Sequence, residues 1–299
     1  MVLAACGIVT IPVVGQERGE WIPATPLPDG RPSPDKSGYN LFNPTPRDMM
    51  REMSTDRPDT TESPYTVDAG HFQFELSLLD YAYNDDRGVQ TDALSILPSN
   101  IKVGLLNNVD IQFVFTPYIR QGLDSDEGSD DTVDDFIDDT QVRLKINLWG
   151  NDGPKPGFGD TAFAIMPFIG FPTGSSDLSN DHVEGGIILP LAIALPGEFG
   201  LGLMPEVDFV YNEASGGYGV DFVHTATIGH DIPGIDNLAG YVEYIGIAPH
   251  DTGGTYQAFA SGGLTYALTD DWVVDFGGTV GISNSADDFT VFVGTSFRF

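Results

Sequence analysis

The sequence predicts an all-β fold: a transmembrane antiparallel up-and-down β-barrel of about 12 strands behind an extended N-terminal tail. Three observations predict it. Hydrophobicity alternates with a period of two along most of the chain after residue 69, the signature of strands with one apolar and one polar face. The connections between the alternating segments differ at the two ends, tight at one and mostly longer and polar at the other. Glycine and proline are abundant, with 36 Gly and 21 Pro in 299 residues, more than long helices tolerate.

The elements follow in chain order. Residues 2–15 form an apolar run of signal-peptide core length, followed at once by Gln16, Glu17 and Arg18. The run is too short to span a bilayer. It predicts an exported protein, with residues 1–15 the remnant of a signal peptide cleaved near Val14, Gly15 and Gln16. Residues 16–68 carry Pro23, Pro26, Pro28, Pro32, Pro34, Pro44, Pro46 and Pro58, and read as an extended periplasmic tail or plug segment with at most a short helix around Arg47 to Met53. Residues 69–299 then hold the strand candidates 70–83, 90–106, 110–121, 139–149, 161–172, 183–195, 199–211, 219–232, 238–248, 255–268, 272–284 and 288–299.

In the fourth candidate Val142, Leu144, Ile146 and Leu148 alternate with Gln141, Arg143, Lys145 and Asn147, and in the last Phe289, Val291, Val293, Phe297 and Phe299 oppose Thr290, Ser296 and Arg298. A soluble sandwich has the same period. The alternation of short turns such as Asn107-Asn108, Pro196-Gly197-Glu198 and Thr269-Asp270-Asp271 with longer polar loops favours a membrane barrel, whose closure leaves no unpaired backbone edge in lipid. The segment 150–160 is long where a short turn is expected. The chain ends with Gly294, Phe297 and Phe299 spaced as in the terminal signal read by the barrel-assembly machinery, although Phe292 stands where that signal carries a polar residue.

Charge and composition exclude other classes. With 44 acidic against 13 basic residues the net charge is -31, which repels phosphate backbones and makes nucleic acid an unsuitable partner. One Cys allows no internal disulfide and no multi-cysteine zinc site. The five histidines, His71, His182, His224, His230 and His250, show no close ligand spacing, so no metal centre and no cofactor is expected. The stretch Gly157-Phe158-Gly159-Asp160-Thr161-Ala162 matches a dinucleotide fingerprint in letters but precedes a strand rather than opening a helix. No G-x-S-x-G is present, and enzymatic activity is not expected. Asp124, Asp126, Glu127, Asp130, Asp131, Asp134, Asp135, Asp138 and Asp139 crowd one loop, which suits divalent cations at a lipopolysaccharide surface or plain solvation.

Polar residues flanked by apolar neighbours on their strands are the lumen candidates: Gln73, Glu75, Arg120, Arg143, Lys145, Glu206, Asp208, Glu243, Asp275 and Arg298. Their mixed signs predict a transverse field across the lumen. Just before the first strand, Asp56, Arg57, Asp59 and Glu62 are packed closely together. They are plug candidates, folding into the barrel mouth with Arg57 paired to a lumen carboxylate such as Glu75, or else they form a solvated periplasmic turn.

The segment Ser54-Thr55-Asp56-Arg57-Pro58-Asp59-Thr60-Thr61-Glu62-Ser63-Pro64-Tyr65-Thr66-Val67-Asp68-Ala69-Gly70-His71-Phe72-Gln73 resembles the opening block of the family called "putative MetA-pathway of phenol degradation". A second block, Lys145-Ile146-Asn147-Leu148-Trp149-Gly150-Asn151-Asp152-Gly153 with Gly159 to Pro167 and Pro172-Thr173-Gly174, is similar to that family's middle. The resemblance covers residues 54–299 and implies a barrel of the bacterial outer membrane, in contact with lipid and lipopolysaccharide, that passes small organic molecules, aromatic or hydrophobic ones included. Its rival is a non-conducting structural or surface-interaction barrel filled by side chains and tail; an outer-membrane hydrolase is the weakest alternative.

Overall fold

The computed structural model describes residues 35–86, 88–125, 131–135, 138–155, 157–174, 178–179, 181–212, 215–249 and 254–299. The expected signal remnant 1–15, the tail up to residue 34, and residues 126–130 and 136–137 of the acidic loop lie outside the described residues, and with them Asp126, Glu127 and Asp130 of the expected divalent-binding loop.

Twelve antiparallel passes close on themselves. They are β1 (Phe72–Asp86), β2 (Val89–Ile96 continued by Ser99–Leu106), β3 (Val109–Phe115 and Tyr118–Ser125), β4 (Asp131–Asp135 and Thr140–Trp149), β5 (Thr161–Phe171), β6 (Glu184–Ile188 and Leu191–Leu195), β7 (Phe199–Asn212), β8 (Gly217–Asp231), β9 (Leu238–Ala248), β10 (Gln257–Thr269), β11 (Trp272–Gly281) and β12 (Phe289–Arg298). Each pairs with its neighbours in sequence, and β12 closes the sheet on β1 through pairs such as Phe74 with Phe297 and Tyr81 with Val291. The product is the up-and-down barrel that the alternation predicts. Among the described residues no helix is long and apolar enough to cross a membrane. The expected helix around Arg47 to Met53 is a single 3-10 turn, Arg47–Met49, bounded by Pro46 on one side and by extended Met50 on the other.

The period of two sorts the side chains. On β4 Arg143, Lys145 and Asn147 are buried while Leu148 is exposed, and on β9 Val242 is 63% exposed beside buried Glu243. The apolar outer face carries aromatic groups toward both ends. Trp149 with Phe158 and Phe163, and Phe74 with Phe297 and Phe299, lie at the tight-turn end, and Tyr81 and Tyr83 with Phe289 at the long-loop end. An apolar band between aromatic girdles is how a barrel meets lipid.

One fault breaks the period. In β1 the inward positions run Gln73, Glu75 and Ser77, then shift to Asp80. In β2 they run Gly104, Lys102 and Asn100, then shift to Ser95, Ala93 and Thr91; in β3 Asp110 and Gln112 give way to Ile119 and Gln121. The three shifts lie side by side, at the bulge between Ser77 and Leu79, at Leu97-Pro98 and at Thr116-Pro117. Leu97 takes a positive φ of 57° there. An added residue in each strand exchanges the faces above it.

Candidate functional site

The tail does not stay outside the barrel. Residues 35–52 lie across the tight-turn end, where Lys36 reaches Asp68 at 3.2 Å and Asp152 at 3.0 Å. Arg51 donates to Asn107 and Asp152 at 2.9 Å each, and Arg47 pairs with Asp271 at 3.0 Å. The pair of bases and Asn107 outweigh burial at Asp152 and hold its carboxyl below the usual range. From Met53, which packs against Ala267 and Val273 of the barrel wall, the chain climbs into the lumen, turns at residues 58–62 and descends to Asp68 before β1 begins. A segment with two prolines and many hydroxyl and acidic side chains cannot fold as a strand or pack in an apolar core; a polar lumen satisfies it.

The loop is fastened by charge. Asp56 accepts hydrogen bonds from Lys145 of β4 at 2.8 Å and from Lys102 of β2, and its N–H donates to Glu75 of β1 at 3.1 Å. Burial alone opposes the Asp56 charge, but Lys102 and Lys145 outweigh it and hold the carboxyl far below its ordinary value. Arg57 makes a two-pronged pair with Asp275 of β11, at 2.7 and 3.1 Å. Glu62 accepts from Arg143 at 2.5 Å with Lys145 4.0 Å away. At the tip Glu243 of β9 takes the N–H groups of Thr60 and Thr61 at 2.9 and 2.8 Å and the Thr61 hydroxyl at 2.7 Å. Thr61 also meets the Thr225 hydroxyl of β8 at 2.6 Å. On the way down Asn147 donates to the Pro64 carbonyl at 2.9 Å and the Val67 N–H to Asp110 at 3.0 Å.

Two glycines make this close fit possible. A Cβ on Gly294 of β12 would stand 2.2 Å from the Arg57 guanidinium, and one on Gly104 of β2 would stand 2.0 Å from the Asp68 carbonyl. At Gly104 only a residue without a side chain fits against the backbone, and at Gly294 a side chain would push the Arg57 guanidinium from its place. Gly294 thus has a packing role against the tail, while Phe297 and Phe299 lie on the outer face, stacked around Phe74.

The remaining lumen candidates fall in two levels. Gln73 donates to the Ser54 carbonyl at 2.5 Å and to Glu75 at 2.8 Å, and Arg298 pairs with Asp271 at 2.7 Å, with Asp68 3.8 Å away. Above the loop, Glu206 and Asp208 of β7 line a cavity of about 580 Å³ toward the long-loop end. Its floor includes Arg57, Thr60 and Glu62, and its walls include the apolar side chains Phe115, Phe168, Ile188, Met204, Val223 and Ile247.

Two expectations are corrected. Arg120 is exposed on the outer face, because the fault in β1 to β3 turns Ile119 and Gln121 inward instead. Arg57 pairs with Asp275 rather than Glu75, which is occupied by Lys102 from the neighbouring strand and by the Asp56 N–H. The transverse field expected from Arg143 and Lys145 is largely cancelled by the tail carboxylates that they hold.

Sequence reasoning missed Lys102, Asp110 and Gln112, although Ile101, Val103, Ile111 and Phe113 around them carry the same alternation. The plug candidate Asp59 has its carboxylate fully buried in the lumen; its oxygens accept no hydrogen bond of good geometry, the Thr227 hydroxyl lying near without being placed to donate. Burial and the neighbouring Glu243 raise the Asp59 pKa well above its ordinary value. Among the described residues no group of three or more His, Cys, Asp and Glu is arranged to hold a metal ion.

The barrel is similar to the crystal structure of an outer-membrane channel from Pseudomonas putida F1, with a TM-score of 0.59 and 10% identity over 82% of this chain and 99% of that one. Weaker likenesses are to the NanC porin (TM-score 0.43, 12% identity, 76% of this chain and 100% of that one) and to the CymD monoaromatic hydrocarbon channel (0.41, 9%, 76% and 87%). No curated protein sequence matches significantly. The closed sheet, its apolar girdled exterior and this shared fold place the chain in the bacterial outer membrane. The model of the family described as "Putative MetA-pathway of phenol degradation" matches residues 55–299, from the lumen loop through the last strand, and the chain belongs to that family.

Proposed function

We propose that the chain is a channel through which small organic molecules cross the outer membrane, entering the cavity from the long-loop end, with the tail loop closing the tight-turn end. One observation carries this reading: the floor of the cavity includes Arg57, Thr60 and Glu62 of a tail loop that is held to the barrel by side-chain pairs and hydrogen bonds. A closure of this kind can open without unpairing any strand. The apolar side chains among the cavity walls support a solute with an aromatic or aliphatic body, since such sites are mostly apolar with a few placed polar groups. The fold shared with a channel from Pseudomonas putida F1 agrees with the reading.

The filled lower half of the lumen also favours the second reading, a barrel that conducts nothing. Swelling of proteoliposomes in small neutral sugars separates the two. The intact chain should admit solute slowly, and the double change Asp56→Ala with Glu62→Ala should speed swelling about tenfold, equivalent to ~1.4 kcal/mol in the docking of the loop. Absence of swelling in both proteins, each folded by heat-modifiable gel migration, would establish the non-conducting barrel.

A further inference from the structure

The cavity above the tail loop is far from neutral. Among the described residues nine acidic side chains line it against two arginines, Arg57 and Arg143. Both arginines are already engaged, Arg57 by Asp275 at 2.7 Å and Arg143 by Glu62 at 2.5 Å. The space keeps an excess of negative charge between low-dielectric walls, where a charge acts more strongly than on an open surface.

The excess is concentrated on β7. Glu206 and Asp208 face the cavity from that strand, with their carboxyl groups within hydrogen-bond reach of each other. Asp208 also stands directly opposite Asp221 of β8, a like-charge cross-strand pair of the kind that destabilises a sheet. Its Oδ1 is buried without a hydrogen-bond partner. Arg143, whose field reaches both Glu206 and Asp208, donates instead to Glu62 and Gln141. Glu62 adds a third carboxylate from the floor. It is 4% exposed, and its Oε2 takes no hydrogen bond, with Lys145 4.0 Å away.

Apolar groups are built into the same wall. A Cβ on Gly186 of β6 would stand 2.5 Å from Asp208 Oδ1 and 2.6 Å from the Phe168 ring, so the missing side chain lets carboxylate and ring edge lie side by side. Val223 of β8 stands opposite Glu206, and Met204 lies two residues below it on β7. Carboxylates alone would suit any cation. Among the described residues, however, they are not gathered about one point as a metal ion requires. Spread along a wall beside Phe168, Met204 and Val223, they fit a cation that is larger and partly apolar, its charge met by carboxylates and its body by ring and thioether.

We infer that the cavity is a binding site for small organic cations, with an ammonium head against Glu206, Asp208 and Glu62 and an aromatic or aliphatic body against Phe168 and Met204. The inference deepens the channel reading by naming its solute class and rests on that reading for passage, while binding is measured apart from conduction. Aromatic anions are repelled by the same wall, and neutral molecules gain only the apolar half of the contacts.

The test is calorimetric titration of the full folded chain in detergent, at about 0.15 M salt, where charges on the open surface are largely screened. Benzyltrimethylammonium should bind saturably at one site per chain, about tenfold more tightly than tetramethylammonium or benzyl alcohol, each of which offers one half of the contacts. Benzoate should not bind. Glu206→Gln with Asp208→Asn should bring benzyltrimethylammonium down to the level of benzyl alcohol, and Phe168→Leu should bring it toward that of tetramethylammonium. Asp131→Asn with Asp134→Asn, on the acidic loop, should leave the affinity unchanged. The probes on the unaltered chain decide the matter even where a variant fails to fold. Equal affinity for benzyltrimethylammonium and benzyl alcohol overturns the site, and so does an affinity lost with the loop pair but kept without the cavity pair, which is attraction to the acidic loop only. If no ammonium binds while proteoliposomes of the same protein swell in sugars, the cation site is refuted and the channel stands; binding without swelling keeps the site and refutes the channel.

Discussion

Asp59 is the most strained of the tail's charges in electrostatic terms. It is fully buried, lacks a well-placed donor and faces Glu243, with Tyr241 nearby. Its pKa is raised in the docked loop, so the docked form binds a proton that the undocked form releases; docking is therefore favoured at low pH and weakens as pH rises through the raised value. Asp59→Asn should remove this dependence and hold the loop more firmly at pH 8, measured as lower conductance than the unaltered chain in planar bilayers. Asp275 gives the opposite case. Asp275→Ala removes the two-pronged partner of the buried Arg57 guanidinium, which costs about 3–5 kcal/mol, whereas replacing both partners by apolar residues of similar size is close to neutral. Limited proteolysis at the tail should therefore accelerate in Asp275→Ala far more than in Arg57→Met with Asp275→Leu.

At the scale of elements, a strand's face is set by parity, and β4 is the place to check it. Leu144 lies on the lipid face between inward Arg143 and Lys145, so Leu144→Arg should destabilise the barrel by about 2–4 kcal/mol near the bilayer midplane. Lys145→Arg keeps the charge inside and should leave barrel unfolding in denaturant titrations much closer to that of the parent. The twelve passes were legible in the sequence because every membrane strand repeats the same physical requirement, lipid on one side and water or polar groups on the other. The fault in β1 to β3 was not. Leu76, Leu78 and Leu79 are apolar on both parities, so the alternation does not mark where the extra residue enters, and Arg120 consequently reads as inward when it is outward. The lumen site was half legible. The crowding of Asp56, Arg57, Asp59 and Glu62 announced a special segment, yet the choice of Asp275 over Glu75 for Arg57 depends on a contact 218 residues away in sequence and on Lys102 already holding Glu75.

For the molecule as a whole, one chain supplies both the barrel wall and what fills it. The wall is a closed ladder that lipid makes hard to open, and the filling is a loop held by a few charge pairs. Motion is therefore expected in the loop, not in the barrel as a body. At β12 Gly294 faces Arg57 and Phe299 sits outside against Phe74, and we propose that Phe299 also serves as the assembly signal. Deletion of Phe299 should lower the yield of folded barrel in the outer membrane while leaving loop contacts intact, read as the heat-modifiable fraction on gels. The most direct measurement is planar-bilayer current through Thr61→Cys with Thr225→Cys, recorded while the disulfide is made and broken. The account predicts that oxidation silences ionic current and that reduction restores opening events in the same membrane; ionic current that persists unchanged with the loop tip tied to β8 would contradict the claim that this loop closes the axial path.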